Sequence, residues 1–261
     1  MEDAVTLSCS NGIGVITLNR PDNRNSMTPE LLESFSKVTQ AVRANRDVRA
    51  VVITGRGRCF SAGADFKSNL QTGGEHLLDH ERSFKMYEPF LGVLDIEVPV
   101  IGALCGHAVG GGFGLSLVCD IRIAHNGSKY GANFTKLGLS PGMSISYLLP
   151  RLVGVSRANE LLFSGRLVLG DEAERIGLAS SAHETPEQVL EEAMRMASAI
   201  AENAPIAVRL TKQCIREQLG WHVRGAAHRE SFAQAATLKT QDAKEGMAAL
   251  LEKRKPEFHG K

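Results

Sequence analysis

Residues Ala103 to Asp120, ALCGHAVGGGFGLSLVCD, hold a cluster of four glycines, Gly110, Gly111, Gly112 and Gly114. The apolar run Val98 to Leu104 leads into it, and Leu115, Leu117 and Val118 follow it. That order predicts a strand, a tight turn and a helix buried on most sides. Glycines at a helix entrance let a ligand approach the main chain with no Cβ in the way. They also leave unpaired N–H groups at the positive end of the helix dipole. Such a turn suits an anion, or an oxygen that becomes anionic during a reaction. Close packing of helix on sheet through glycine explains the same residues without chemistry.

A second stretch favours chemistry. Ala50 to Thr54, AVVIT, reads as a buried strand; Gly55-Arg56-Gly57-Arg58 reads as a turn; CFSAGADFK, Cys59 to Lys67, follows. The chain thus builds two places where backbone can touch a ligand. Here the sequence resembles the crotonase (enoyl-CoA hydratase/isomerase) superfamily. The AGAD-x-K loop of that family is matched by Phe60-Ser61-Ala62-Gly63-Ala64-Asp65-Phe66-Lys67. Its G-x-A-x-GGG is matched by Gly106 to Gly112, its CD-x-R-x-A by Cys119 to Ala124, and its EGM…EKR-x-P-x-F by Glu245 to Phe258. The resemblance covers nearly the whole chain.

The resemblance implies an acyl-CoA or enoyl-CoA thioester as substrate and partner. The thioester carbonyl would sit between the backbone N–H groups of Ala64 and Gly111, the two catalytic donors. Each fixed donor in a dry site is worth about 3–4 kcal/mol as charge develops on the oxygen. Ala62 and Asp65 would bracket the adenine, mostly through main chain, and Phe66 is counted among the substrate-binding residues. Arg24, in the NRP loop, and Lys67 would approach the phosphates. Lys253 would come from a neighbouring subunit; an aromatic usually stands three residues earlier, where this chain has Leu250. Gly110, Gly114, Phe134 and Leu139 would line the acyl site. Coenzyme A is part of the substrate, so no separate cofactor and no metal are expected.

The general acid/base is the departure. Family hydratases place two glutamates opposite the oxyanion hole, and those positions hold Gly114 and Phe134 here. Neither can move a proton, so ordinary hydration is not expected by the usual route. Substitutes by residue type are His107, which titrates near neutrality, and Ser140, Asp65, His76, Asp79 and His80. Two alternatives stay open: decarboxylation or isomerisation with an unrecognised base, and a non-catalytic acyl-CoA binder or scaffold. Gly138-Leu139-Ser140-Pro141-Gly142 matches G-x-S-x-G, the nucleophile elbow of serine hydrolases. That motif needs an N–H after the serine, and Pro141 has none.

The elements that must position these residues follow from pattern. Val5 to Ser10 and Ile13 to Asn19 flank Asn11-Gly12, a hairpin signal. Thr28-Pro29 starts a helix running to about Asn45. A helix is expected from about Gly74 through Leu94, and a strand from Val98. Ile121 to Ala124 is a strand; Gly142 to Leu152 and Ser156 to Phe163 are helices. Asp171 to Glu174 reads as a capping box, Leu178 to Ala182 as a last strand, and Thr185 to Gln188 as another capping box. Helices are then expected at Pro205 to Leu219, Trp221 to Leu238 and Asp242 to Lys253. The fold class is α/β with a helical C-terminal part. By resemblance it is a crotonase-like spiral of ββα turns over 1–200, with a helical oligomerisation region at 201–261 that builds trimers, often paired into hexamers.

Composition narrows the class further. The chain has 261 residues, 43% of them hydrophobic, enough for one sizeable core. Its net charge of +1 gives no field for nucleic acid or membrane. Five cysteines without CxxC or metal spacing read as reduced thiols, so a cytoplasmic location is expected. The first residues show no signal-peptide pattern, no apolar run is long enough to span a bilayer, and the last three residues are not the usual peroxisomal tripeptide.

Overall fold

The computed structural model describes residues 2–65 and 77–261, with backbone only at 218–221. Val5–Ser10 (β1) and Ile13–Leu18 (β2) pair antiparallel. Both residues of the Asn11-Gly12 turn have left-handed φ, 50° and 76°, as a two-residue hairpin requires. Pro29–Ala44 (α1) is capped by Thr28, whose Oγ1 accepts from Leu31 N–H at 3.2 Å.

The chain then winds through three turns. Each turn adds a longer strand to one sheet and a shorter strand to another. The longer ones are Ala50–Gly55 (β3), Val100–Leu104 (β5) and Ile121–His125 (β7). The shorter ones are Cys59–Ser61 (β4), His107–Val109 (β6) and Tyr130–Gly131 (β8). Ser181–His183 (β9) ends the larger sheet. Among the described residues the orders are β1-β2-β3-β5-β7-β9 and β4-β6-β8, parallel except for the opening hairpin.

Strand β3 has no polar alternation because both its faces are covered. Val51 and Ile53 face the main core with α1; Ala50 and Val52 face Val189, Ala193, Ala197 and Ala201 of Pro186–Ala201 (α7). The intervening helices are Asp79–Leu91 (α2), Gly111–Val118 (α3), Ile145–Val153 (α4), Val155–Ser164 (α5) and Gly170–Arg175 (α6). Helix α3 is buried at every residue, which its uniformly apolar and small composition permits.

Several expectations shift. Helix α4 starts at Ile145, not Gly142, because Met143 and Ser144 take left-handed φ of 63° and 60°. The buried Glu230 carboxylate supplies the missing cap, accepting from Ser144 N–H, Ser146 N–H and the Ser146 hydroxyl. Helix α6 starts at Gly170 with Leu169 before it and no side-chain cap, so the box at Asp171 is not formed. Strand β9 is shorter and later than the Leu178 to Ala182 run. The part of the expected helix before Leu77 lies outside the described residues, and α2 ends at Leu91 in a 3-10 turn, Gly92–Asp95.

The two helices expected around Gly220 are one helix, Pro205–Leu238 (α8), followed by Gln241–Glu252 (α9). A glycine inside a helix costs about 1 kcal/mol against alanine and does not by itself stop it. Tertiary anchors along α8 outweigh that cost. Lys212 and Arg216 both pair with Asp120 at 2.8 Å, and Arg224 pairs with Asp95 at 2.7 Å. The CD-x-R-x-A motif is scaffold accordingly. Asp120 also accepts from Val100 N–H at 2.7 Å, and the buried Arg122 guanidinium donates to Leu178 O and Cys119 O.

Candidate active site

Strands β4 and β6 lie side by side, with Cys59 opposite His107 and Ser61 opposite Ala108. The residues after each strand, 62–65 and 110–111, therefore leave the small sheet as neighbours. Gly63 sets their spacing. Its φ is +79°, and a Cβ there would fall 2.7 Å from Val109 O and 2.8 Å from Gly111 N. Gly112 packs equally close, its notional Cβ 2.2 Å from Ser61 O. Side chains at either place would wedge the loops apart. Among the described residues, neither Ala64 N–H nor Gly111 N–H donates to a backbone acceptor outside its own element. Gly111 opens α3, where the dipole is positive.

The NRP loop is bound to the same place. Ala62 N–H donates to Arg24 O at 3.0 Å, and Met27 N–H donates to Gly63 O at 2.8 Å. Asn23 Nδ2 lies 3.4 Å from Asp65 Oδ2. Arg24, exposed and with φ of 53°, thus has its main chain beside Ala62. Asn25, which sequence reasoning passed over, holds the loop together. Buried and at φ of 51°, it accepts from Arg20 N–H and the Ser61 hydroxyl and donates to Arg56 O and Cys59 O. Phe66, Lys67 and His76 lie outside the described residues. Lys253 is exposed, at the left-handed C-cap of α9. No hydrogen bond or ion pair among the described residues ties it to the Ala62–Asp65 loop.

Gly114 and Phe134, where the resemblance would put glutamates in a hydratase, both lie in packed surroundings. A Cβ on Gly114 would fall 2.1 Å from Met143 Cγ and 2.5 Å from Met143 Cβ. Met143 therefore occupies the space a side chain at 114 would need. Phe134 is buried at the start of the 3-10 turn Phe134–Leu137, its Cζ 3.9 Å from a notional Cβ on Gly110. Leu139, also buried, donates its N–H to Phe134 O at 3.0 Å. These residues make an apolar wall beside the entrance of α3.

The substitute acid/base residues separate. His107 is in strand β6, not in the turn, and its Nδ1 already accepts from Lys129 N–H at 2.9 Å. Burial and the neighbouring Lys129 charge push its pKa down. Asp79 pairs with Lys239 at 2.6 Å, which holds its carboxyl below the usual range. His80 stacks on Phe232 with centroids 4.0 Å apart. Ser140 is not a nucleophile elbow; its loop joins the 134–137 turn to α4, and its N–H donates to Thr237 Oγ1.

Tyr87, on α2, also reaches this place: it is buried, and its ring lies 3.4 Å from a notional Cβ on Gly111 and 2.6 Å from one on Gly142. Its hydroxyl accepts from Gln234 Nε2 at 2.8 Å, and burial pushes its pKa upward. Met27 contacts the same glycine. No sequence signal joined these side chains, because α2, α8 and the NRP loop meet only in the folded chain. Among the described residues no cluster of His, Cys, Asp and Glu is arranged to hold a metal ion, and no helix is long and apolar enough to cross a membrane.

A parallel two-sheet spiral of this kind is the crotonase fold. The crystal structure of an enoyl-CoA hydratase/isomerase from Pseudoalteromonas atlantica matches it with a TM-score of 0.86 at 30% identity, over 98% of this chain and 100% of that one. The family model for enoyl-CoA hydratase/isomerase matches residues 8–261. Crotonyl-CoA hydratase of Syntrophomonas wolfei is 36% identical over 95% of each chain. Short-chain-enoyl-CoA hydratase of Clostridium acetobutylicum is 34% identical over 97% of this chain and 96% of its own. The chain belongs to the enoyl-CoA hydratase/isomerase family of the crotonase superfamily.

Proposed function

We propose that this protein binds an acyl-CoA or enoyl-CoA thioester and stabilises its enolate with the N–H groups of Ala64 and Gly111. The observation that carries the reading is the juxtaposition of those two backbone segments, held by Gly63 at a distance any side chain would disturb. Arg24, Ala62, Asp65, Phe66 and Lys67 bind the CoA nucleotide, and Lys253 reaches it from a neighbouring copy. Gly110, Gly114, Phe134 and Leu139 face the acyl group.

With Gly114 and Phe134 at the glutamate positions, enolate chemistry other than hydration, decarboxylation or isomerisation, fits this wall better. Exposed Phe163, Ile206, Leu210, Leu250, Leu251 and Phe258 suit a homotrimer or a hexamer of two trimers. Acyl-CoA panels followed by mass spectrometry test the activity. Gly63→Ala is expected to lower turnover about 100-fold or more by misplacing the donors. A protein that binds the thioesters and converts none of them would instead be a binder or scaffold. Crotonyl-CoA hydration well above the buffer rate would overturn the preference against hydration.

A further inference from the structure

We infer that Tyr87, Gln234 and Ser140 form a hydrogen-bonding end of the acyl pocket, selecting a CoA thioester whose acyl group carries an acceptor oxygen. The inference rests on the thioester reading above and adds the chemical class of the acyl group. Three separate elements bring these residues together: α2, α8 and the loop before α4. Gln234 Nε2 donates to the Tyr87 hydroxyl at 2.8 Å and reaches Ser140 O at 3.5 Å, so one amide spans both neighbours. Tyr87 links the trio to one candidate donor, Gly111. The Tyr87 ring is 3.4 Å from a notional Cβ on Gly111, and on Gly142 a Cβ would meet Gln234 Nε2 at 2.7 Å.

The hydrogen bonding is unfinished. Tyr87 accepts from Gln234, but its own hydroxyl proton has no acceptor among the described residues. The Ser140 hydroxyl is buried and has no partner among them either. Native interiors rarely leave such groups unspent. Around them the wall is apolar: Met27, Phe134, Leu139 and Met143 are all buried. A hydrocarbon acyl chain packed there would leave both hydroxyl protons unused. A ketone carbonyl or a carboxylate would accept from them, and a site built to hydrogen-bond an oxygen discriminates against the analogue lacking it.

Equilibrium binding of butyryl-CoA, 3-oxobutyryl-CoA and malonyl-CoA to the full chain tests this by calorimetry. The wild type is expected to prefer the ketone or the carboxylate thioester over butyryl-CoA by about tenfold, the scale of one or two hydrogen bonds. Which of the two is preferred identifies the oxygen. Tyr87→Phe keeps the ring and Ser140→Ala the backbone; each is expected to pull the affinity ratio toward one. Equal affinities in the wild type, or a ratio unchanged in both variants, would overturn the inference while butyryl-CoA binding leaves the thioester reading intact. Failure of all three thioesters to bind would overturn both.

Discussion

Adding a side chain at Gly114 offers the sharpest test of whether Met143 fills the space beside that glycine. A Cβ there would stand 2.1 Å from Met143 Cγ and 2.5 Å from Met143 Cβ, where carbons pack at about 3.5–4.0 Å. Rotating the methionine does not help, because its Cβ is fixed by a backbone held at φ of 63°. Met143 is also fully buried. Overpacking of this kind costs about 1–3 kcal/mol, and two sub-3 Å contacts place Gly114→Ala at the upper end. At about 2–4 °C per kcal/mol for a chain of this size, Tm falls by about 5–10 °C. Met143→Gly removes both colliding atoms and relieves the left-handed residue, but loses buried methionine packing worth about 2–5 kcal/mol. The double variant is therefore expected to be less destabilised than the sum of the singles by about 2 kcal/mol, read from urea denaturation. Additivity within about 0.5 kcal/mol would refute the steric argument. So would a Gly114→Glu variant that folds normally and gains crotonyl-CoA hydration with Met143 in place.

Three further outcomes follow from separate contacts. Burial holds the Lys212 ammonium at about 8, below its ordinary 10.5, despite Asp120 beside it. Between those two values the unfolded chain binds more protons than the native one, so this group's contribution to stability rises with pH. The stability of the wild type relative to Lys212→Met should climb across that window in denaturation at pH 7.5, 9 and 10, and a flat difference would contradict it. Glu230→Ala strips the acceptor from Ser144 N–H and Ser146 N–H; a loss of roughly 2–4 kcal/mol is expected, with Glu230→Gln losing less. Lys253 sits at φ of 57°, so Lys253→Gly should leave stability unchanged or raise it by up to about 1 kcal/mol. If the lysine contacts CoA across subunits, the same variant binds CoA thioesters more weakly; unchanged affinity would restrict Lys253 to its turn.

The opening hairpin, the Thr28 cap, the Thr185 capping box and the buried strand β3 were legible because their causes are local. Asn-Gly supplies left-handed φ, hydroxyls cap nearby amides, and a continuous apolar run seeks cover on both faces. The strand-to-helix order around Gly110 and the family motifs were equally visible, since glycine spacing is written in the chain. Boundaries failed where a distant group decided them. Glu230 caps α4 from 84 residues away along the chain, and the ion pairs of Lys212, Arg216 and Arg224 outweigh a glycine that local propensity reads as a break. The resemblance puts Gly114 and Phe134 where family hydratases carry glutamates, yet it does not tell what packs against them. Met143 against Gly114, and Tyr87 beside Gly111 and Gln234, come from segments far apart in the chain. Their contact depends on how the helices close over the spiral, a packing result that no local pattern of residues encodes.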